Sequence, residues 1–366
     1  MESTANSHLL PISGHSRKEE NFAYAIQLLS SSVLPFVLHS TVELEVFEIL
    51  AKANTQLSAS QIVIQMPSSK NPDAANMLDR MLYVLASYSL LSCSIIEENG
   101  VPIRFYGLST VGKFFVRDEE DGASLRPMLA LHQHEVIINS LFGLKDAVLE
   151  GGVPFDRMQS VNLFEYLKTN SMFNNVFNKA MINHTTLVMK NILEHYKGFE
   201  DLTTLVDVGG GLGINLKMIT SKYPTIKGTN FDLPHVVQHA PSYNGVEHVG
   251  GDMFESVPEA DVIFMKSILH DWSDSLCVKL LKNCYKAVPA ENGKAIVVET
   301  LLPVKPDHAH ASVISVSQSD LTMLAHTHGG KERSQHEFEA LATEAGFKGI
   351  NFVCCVCNFW VMEFYK

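Results

Sequence analysis

The chain has 366 residues, of which 46% are hydrophobic and 19% charged, and a formal net charge of −12. That length predicts two domains, and the composition predicts a folded globular protein rather than a disordered one. The negative charge excludes the basic footprint that nucleic acid or an anionic membrane surface requires.

Residues 1–20 read as a loose polar tail with no secretory signal, so a cytoplasmic location is expected. From Phe22 to Ala53 apolar residues recur at helical spacing, and Pro35 is expected to kink or split the run. LSASQIVIQM (57–66) is a short helix with a serine cap, and NPDAANMLDRMLYVLASYSLL (71–91) is a longer amphipathic one. CSIIEENGVPIRFYGLS then reads as a hairpin turning at Asn99-Gly100. Helices followed by a two-stranded wing make a winged-helix pattern. Residues 1–110 hold 6 Lys and Arg against 10 Asp and Glu, which disfavours DNA and favours an apolar dimerisation platform.

Residues 111–200 read as mostly helical and rich in Phe, Met and His, fitting either plain core or the wall of an aromatic-binding cavity. From residue 201 short apolar runs alternate with helical stretches: LVDVG, TIKGTNFDL, VEHVGGDMF, ADVIFMKSI and KAIVVET. This alternation predicts a doubly wound, mostly parallel sheet whose ligand sits at the carboxyl ends of the strands. Two last strands, 349–356 and 358–365, are expected as an antiparallel edge. They carry Cys354 and Cys357, a CxxC with no second pair to complete a zinc site, and no metal is expected.

Chemistry-bearing residues gather at those strand ends. VDVGGGLG (206–213) places four glycines where a strand turns into a helix, with Ile214 where a dinucleotide fingerprint has its third glycine. Asp232 ends the next strand, 19 residues after Gly213, where an acid can accept from both ribose hydroxyls of a nucleoside. In GGDMF (250–254), Asp252 can accept from an adenine amino group, with Met253 and Phe254 packing on the ring. Lys266 and His270 follow the fourth strand in ADVIFMKSILHDWSD. His270 is either a base near neutral pH or incidental to a strand end capped by Asp271 or Ser273. Glu299 ends the fifth strand, and Glu332 lies in GGKERS before the last helix; either is a partner for the imidazole, a helix cap or a solvent-facing acid.

Taken in order, VDVGGGLG, FDLPHV, GGDMF, HDWSD and GGKERS resemble the plant S-adenosylmethionine-dependent O-methyltransferases that act on phenols, the caffeic-acid type in particular. The resemblance covers nearly the whole chain. It implies an α/β fold: a winged-helix dimerisation domain (21–125) followed by a Rossmann-like, class I methyltransferase domain with a seven-stranded sheet (126–366), whose helical segment 126–200 lines the substrate pocket. It implies S-adenosylmethionine as cofactor, no metal, and a homodimer that binds neither nucleic acid nor membrane. Carried over by motif, Gly209, Asp232, Leu233, Asp252, Met253, Phe254 and Lys266 surround the cofactor, and His270 is the general base flanked by Glu299 and Glu332. A phenol's pKa near ~10 makes such a base necessary at neutral pH.

Leu131, His132, Leu163, Leu167, Phe173 and Phe177 are the first substrate-lining positions implied; Met181, His184, Thr322, Met323 and Thr327 complete them. Here the chain departs from the caffeic-acid pattern, with His132 for Asn, Leu167 for His, Thr327 for Asn, and Ser267 for the Trp after the lysine. Polar donors that would orient a carboxylated ring are therefore partly lost. Coumarins, flavonoids, phenylpropanoids and alkaloid phenols all remain open. The competing readings are a nicotinamide-dependent oxidoreductase, a winged-helix DNA regulator, and a methyltransferase-like protein without turnover.

Overall fold

The computed structural model describes residues 16–66 and 70–366. These form two compact units that divide between Val116 and Arg117. Of the expected tail, residues 1–15 lie outside the described residues; a helix already begins at Arg17, with Ser16 and Glu19 forming a capping box.

In the first unit the apolar run from Phe22 breaks into helices Arg17–Leu29, Val33–Glu43 and Val46–Ala53. The run splits just ahead of Pro35, with a bend of 54° between the first two helices. Pro35 falls in the first turn of the second helix, where its missing N–H is not needed, and the breaks come at Ser30–Ser32 and at Glu45, whose φ is 59°. Helices Ala59–Gln65 and Ala74–Ser87 follow, the former opened by a Ser58–Gln61 capping box. Strand β1 (Leu57–Ser58) joins the hairpin β2 (Leu91–Glu98) and β3 (Val101–Leu108) in the antiparallel order β1-β3-β2. Asn99 and Gly100 take positive φ at the turn, as a two-residue hairpin of this twist requires. The core is Val46, Phe47, Leu50, Ile62, Leu78, Leu82, Leu85 and Tyr106. Helix Arg17–Leu29 buries nothing within this unit, although Phe22, Tyr24, Ile26, Leu28 and Leu29 are all apolar and exposed.

The second unit carries β4 (Thr204–Val208), β5 (Lys227–Asp232), β6 (Val246–Gly250), β7 (Val262–Lys266), β8 (Lys294–Glu299), β9 (Gly349–Val356) and β10 (Phe359–Tyr365). Among the described residues they form one sheet in the order β6-β5-β4-β7-β8-β10-β9, parallel from β6 to β8, with β10 and β9 antiparallel at one side. Strands β4, β7 and β8 are apolar almost throughout because both faces are covered. On one face Val206, Ile263, Met265 and Val297 pack against helices Asp274–Ala287 and Gln335–Ala345. On the other, Leu205, Phe264, Ile296 and Val298 pack against helices Ser171–His195 and Ile214–Lys222. The order reverses at β4, so the crevice beyond the ends of β5, β4, β7 and β8 is where such a sheet holds a ligand.

Candidate active site

The core of β7, VIFMK, is buried at every position and stops at Lys266. Ser267 then takes φ 57°, a left-handed turn unusual for a residue with a Cβ, while its N–H still donates to Val298 O at 3.0 Å. The chain enters a 3-10 turn, Leu269–Asp271, whose middle residue is His270. Glu299, at the end of neighbouring β8, accepts from the N–H of Ile268 (2.9 Å) and Leu269 (2.7 Å) through one oxygen. Its other oxygen is buried without a hydrogen bond, 3.9 Å from His270 Nδ1. Two residues past Glu299, Leu301 bridges Arg333, and this brings Glu332 to the imidazole, Oε1 to Nδ1 at 3.1 Å. Ser319 Oγ (2.7 Å) and Thr300 Oγ1 donate to the two oxygens of Glu332, and Asp320 accepts from its N–H (2.9 Å).

A carboxylate only accepts, so the bond to Glu332 keeps a proton on Nδ1, and in the neutral ring the lone pair is then on Nε2. Nε2 has no hydrogen bond among the described residues; Asp271 Oδ1 is 3.7 Å away. Burial pushes the imidazole toward neutrality, but the charges of Glu299, Asp271 and Glu332 outweigh it and push the ring up to about 10. Burial raises Glu299 and takes Asp271 up to about 6, whereas the donors around Glu332 overcome its burial and hold it below the usual range. His270, Glu299 and Glu332 offer ligand atoms within 4.8 Å of one another, a spacing a metal ion could share. Three of the four carboxylate oxygens, however, are already met by hydroxyl, ring or backbone donors.

The glycine turn lies on the next strands. Gly209 N–H continues the ladder to Phe231 O (2.8 Å). A Cβ on Gly210 would lie 2.1 Å from Asn230 Oδ1 and 2.5 Å from Asp207 Oδ2, so only glycine lets the backbone run this low. Gly211, at φ 56°, has nothing within 4 Å of where a Cβ would be, and its N–H donates to Asp232 Oδ2 at 2.8 Å. An open backbone face beside a carboxylate with lone pairs to spare fits the ribose of an adenosine-containing cofactor. Asp232 pairs with Gly250 across β5 and β6, which sets Leu233 beside GGDMF. Leu233 is exposed, Asp252 accepts from Phe254 N–H, and Phe254 meets Trp272 edge-on at 4.8 Å. These are apolar surfaces of the kind an adenine would cover. Lys266 is buried; its Nζ donates to Thr185 Oγ1 (3.4 Å), and burial pushes it down to about 8.

Leu131, Leu163, Leu167, Phe173, Phe177 and Met181 fall in one apolar cluster with Phe155, Tyr166 and Ala180. Phe173 is part of its core, against His134 and Tyr166, rather than an open wall. His184 meets Phe359 edge-on, and burial with nearby Lys266 and His132 takes it down to about 3, so it is neutral. His132 keeps exposed surface, yet the protein around it also lowers its pKa. Thr327 is buried and its hydroxyl donates to Met323 O (2.8 Å), while Thr322 donates to Gln318 O (3.1 Å). Neither hydroxyl is left as a donor for a ligand. A separate cavity of about 640 Å³, lined among others by Leu302, Pro303, His336 and Trp360, includes none of the predicted site residues.

Several participants were not anticipated. Asp207 is fully buried beneath the glycine turn, pushed up to about 7 by burial, with Asn215 donating to one oxygen. Thr300, Ser319 and Arg333 also belong to the His270 network. The acid in VDVGG was a readable signal for Asp207; the hydroxyls and the arginine carried none.

Comparison with known proteins accords with this geometry. Residues 142–348 match the O-methyltransferase domain family, and residues 26–118 the O-methyltransferase dimerisation domain. The chain is 71% identical to catechol O-methyltransferase 1 of Solanum lycopersicum and 53% identical to caffeic acid 3-O-methyltransferase 1 of Populus kitakamiensis, with 100% of each chain covered in both cases. The crystal structure of human N-acetylserotonin methyltransferase in complex with SAM superimposes with a TM-score of 0.77 at 24% identity, covering 96% of this chain and 99% of that one, which shows the shared fold. Full-length identity to these relatives, the class I sheet and the paired domains have one reading: the chain belongs to the plant O-methyltransferase family and is an S-adenosylmethionine-dependent O-methyltransferase.

Proposed function

We propose that this enzyme methylates a hydroxyl of a small catechol that lacks a carboxylate side chain, with His270 as the general base and without a metal. The observation that carries the reading is the bond from His270 Nδ1 to the buried Glu332, which makes Nε2 the proton acceptor of the deprotonated ring. Bound S-adenosylmethionine supplies an electrophilic methyl group on a sulfonium sulfur. The protein's own tasks are to hold the acceptor and to take its proton. A phenol is almost wholly protonated at neutral pH, so its oxygen becomes a good nucleophile only as Nε2 withdraws the proton. Glu332 then stabilises the imidazolium that results, and Glu299 keeps the turn in place. Gly209, Asp232, Leu233, Asp252, Met253, Phe254 and Lys266 hold the cofactor in this account. The proposed assembly is a homodimer through the matched dimerisation domain, with helix Arg17–Leu29, which runs into its N-terminal edge, offering uncovered apolar side chains.

The catechol preference rests on two supports. The relative with the higher identity is named for catechol, and the polar positions expected of a caffeate site are spent or apolar here, with Leu167 and Thr327 both buried. Transfer of a labelled methyl group from S-adenosylmethionine to catechol, caffeate, a hydroxycoumarin, a flavonoid and an aromatic amine tests this. The expected result is a kcat/KM for catechol at least about tenfold above that for caffeate, the scale of one or two lost polar contacts. Equal or better use of caffeate would overturn the preference, and transfer to the amine alone would overturn the hydroxyl acceptor.

A further inference from the structure

Arg333 is the largest fully buried side chain among the described residues, and it lies one residue after the acid that grips the imidazole. Its Nη1 donates to Leu269 O at 2.6 Å, Nη2 to Trp272 O at 2.7 Å, and Nε to Asp274 Oδ1 at 2.9 Å. Leu269 and Trp272 bracket His270. The Cys277 thiol leans on the same two carbonyls, at 3.2 and 3.5 Å. On the opposite side of the turn, Glu299 takes the N–H groups of Ile268 and Leu269. The His270 turn is therefore held by a buried anion at its amides and a buried cation at its carbonyls. Arg333's own backbone is fixed as well, bridged to Leu301 and accepting from Leu302 N–H at 2.9 Å.

We propose that Arg333 is a positioning residue for the transfer reaction: by locking the Leu269 and Trp272 carbonyls it sets the angle at which the His270 ring meets Glu332. A charge in the interior is costly, and apolar side chains of similar volume would fill this space without that cost. They could not hold the two carbonyls at the start and just beyond the end of the turn, which a planar guanidinium does with donors in a fixed fork. One dipeptide thus addresses both parts of the base, Glu332 the ring and Arg333 the backbone that carries it. The consequence is catalytic because a small misplacement of an acceptor nitrogen lowers the rate steeply.

The inference rests on His270 being the base, so the test runs beside His270→Gln. In the full-length enzyme, Arg333→Lys keeps the charge but reaches one carbonyl at a time. The expected result is a kcat lowered about tenfold to a hundredfold, with the dissociation constant for S-adenosylmethionine within about twofold of wild type. The acid limb of the kcat profile should also move to lower pH, since a loosened Glu332 contact favours the charged ring less. A folded Arg333→Lys protein with wild-type kcat and limb would overturn the proposal. If that variant does not fold, Asp274→Asn, at the half-exposed carboxylate that the guanidinium meets, replaces it: a smaller fall in kcat with the same displacement of the limb is expected, and a lowered Tm with unchanged kcat and limb would overturn it. An active His270→Gln enzyme would instead sink the base assignment, whereas an inactive one beside a fully active Arg333→Lys would sink only the role of Arg333.

Discussion

At the scale of single residues, the site is a contest between burial and charge at His270. Dry surroundings favour the neutral ring, and three carboxylates favour the charged one; the carboxylates win, and the pKa rises. A base acts only when deprotonated, so kcat/KM is expected to climb with pH until the raised pKa is passed. Glu299→Gln isolates one of these charges. The amide oxygen can still accept from the Ile268 and Leu269 N–H groups, so the turn is kept while the charge 3.9 Å from Nδ1 is lost. With one negative neighbour removed, the ring loses its proton more easily, and the acid limb of kcat/KM should move down by about one pH unit. A limb that stays in place would show that Glu299 carries no charge in the working enzyme. Residues of this kind were only half legible in the sequence. His270, Glu299, Asp232 and Asp252 stand just after apolar runs, where a parallel sheet delivers its ligand-facing groups. Arg333 was hidden, because a fully buried charge runs against the ordinary distribution of residues, and the carbonyls that it meets lie some sixty positions away in sequence.

At the scale of elements, the glycine turn and the helical segment behave differently. The turn is specified residue by residue. Gly210 must be glycine for the backbone to pass Asn230 and Asp207, but Gly211 faces open space. If that space is where the cofactor lies, Gly211→Ala should damage binding more than folding. A Cβ at φ 56° costs about 1 kcal/mol of stability, while the dissociation constant for S-adenosylmethionine should rise at least about tenfold as the added methyl group occupies the approach. Thermal unfolding and calorimetric titration of the variant measure the two effects, and an unchanged dissociation constant would move the cofactor away from this face. The segment from 126 to 200 was less legible. Its Phe, Met and Leu residues recur at helical spacing whether they line a cavity or fill a core, and only packing distinguishes Phe173, in the core, from Phe177, at its margin. Proline was the plainer signal: Pro35 sits in a first turn, and the split falls in the serine run just before it.

At the scale of the whole molecule, the alternation of strands and helices was enough to predict the doubly wound sheet and its antiparallel edge. The strand order, with β10 inserted between β8 and β9, was not readable, because long-range pairing leaves no local trace. The same is true of the first helix. Its apolar spacing was plain, but not that its own unit leaves it bare as it leads into the dimerisation domain that residues 26–118 match. What joins these scales is one claim, that the sheet ends and the GGKERS bridge assemble a base from His270 and Glu332. The most direct test is single-turnover methyl transfer to catechol by His270→Gln, with S-adenosylmethionine binding measured on the same protein. The account predicts unchanged cofactor affinity and a rate lower by about 10² to 10⁴, the range for removal of a general base. A variant that binds the cofactor and transfers methyl at the wild-type rate would contradict it.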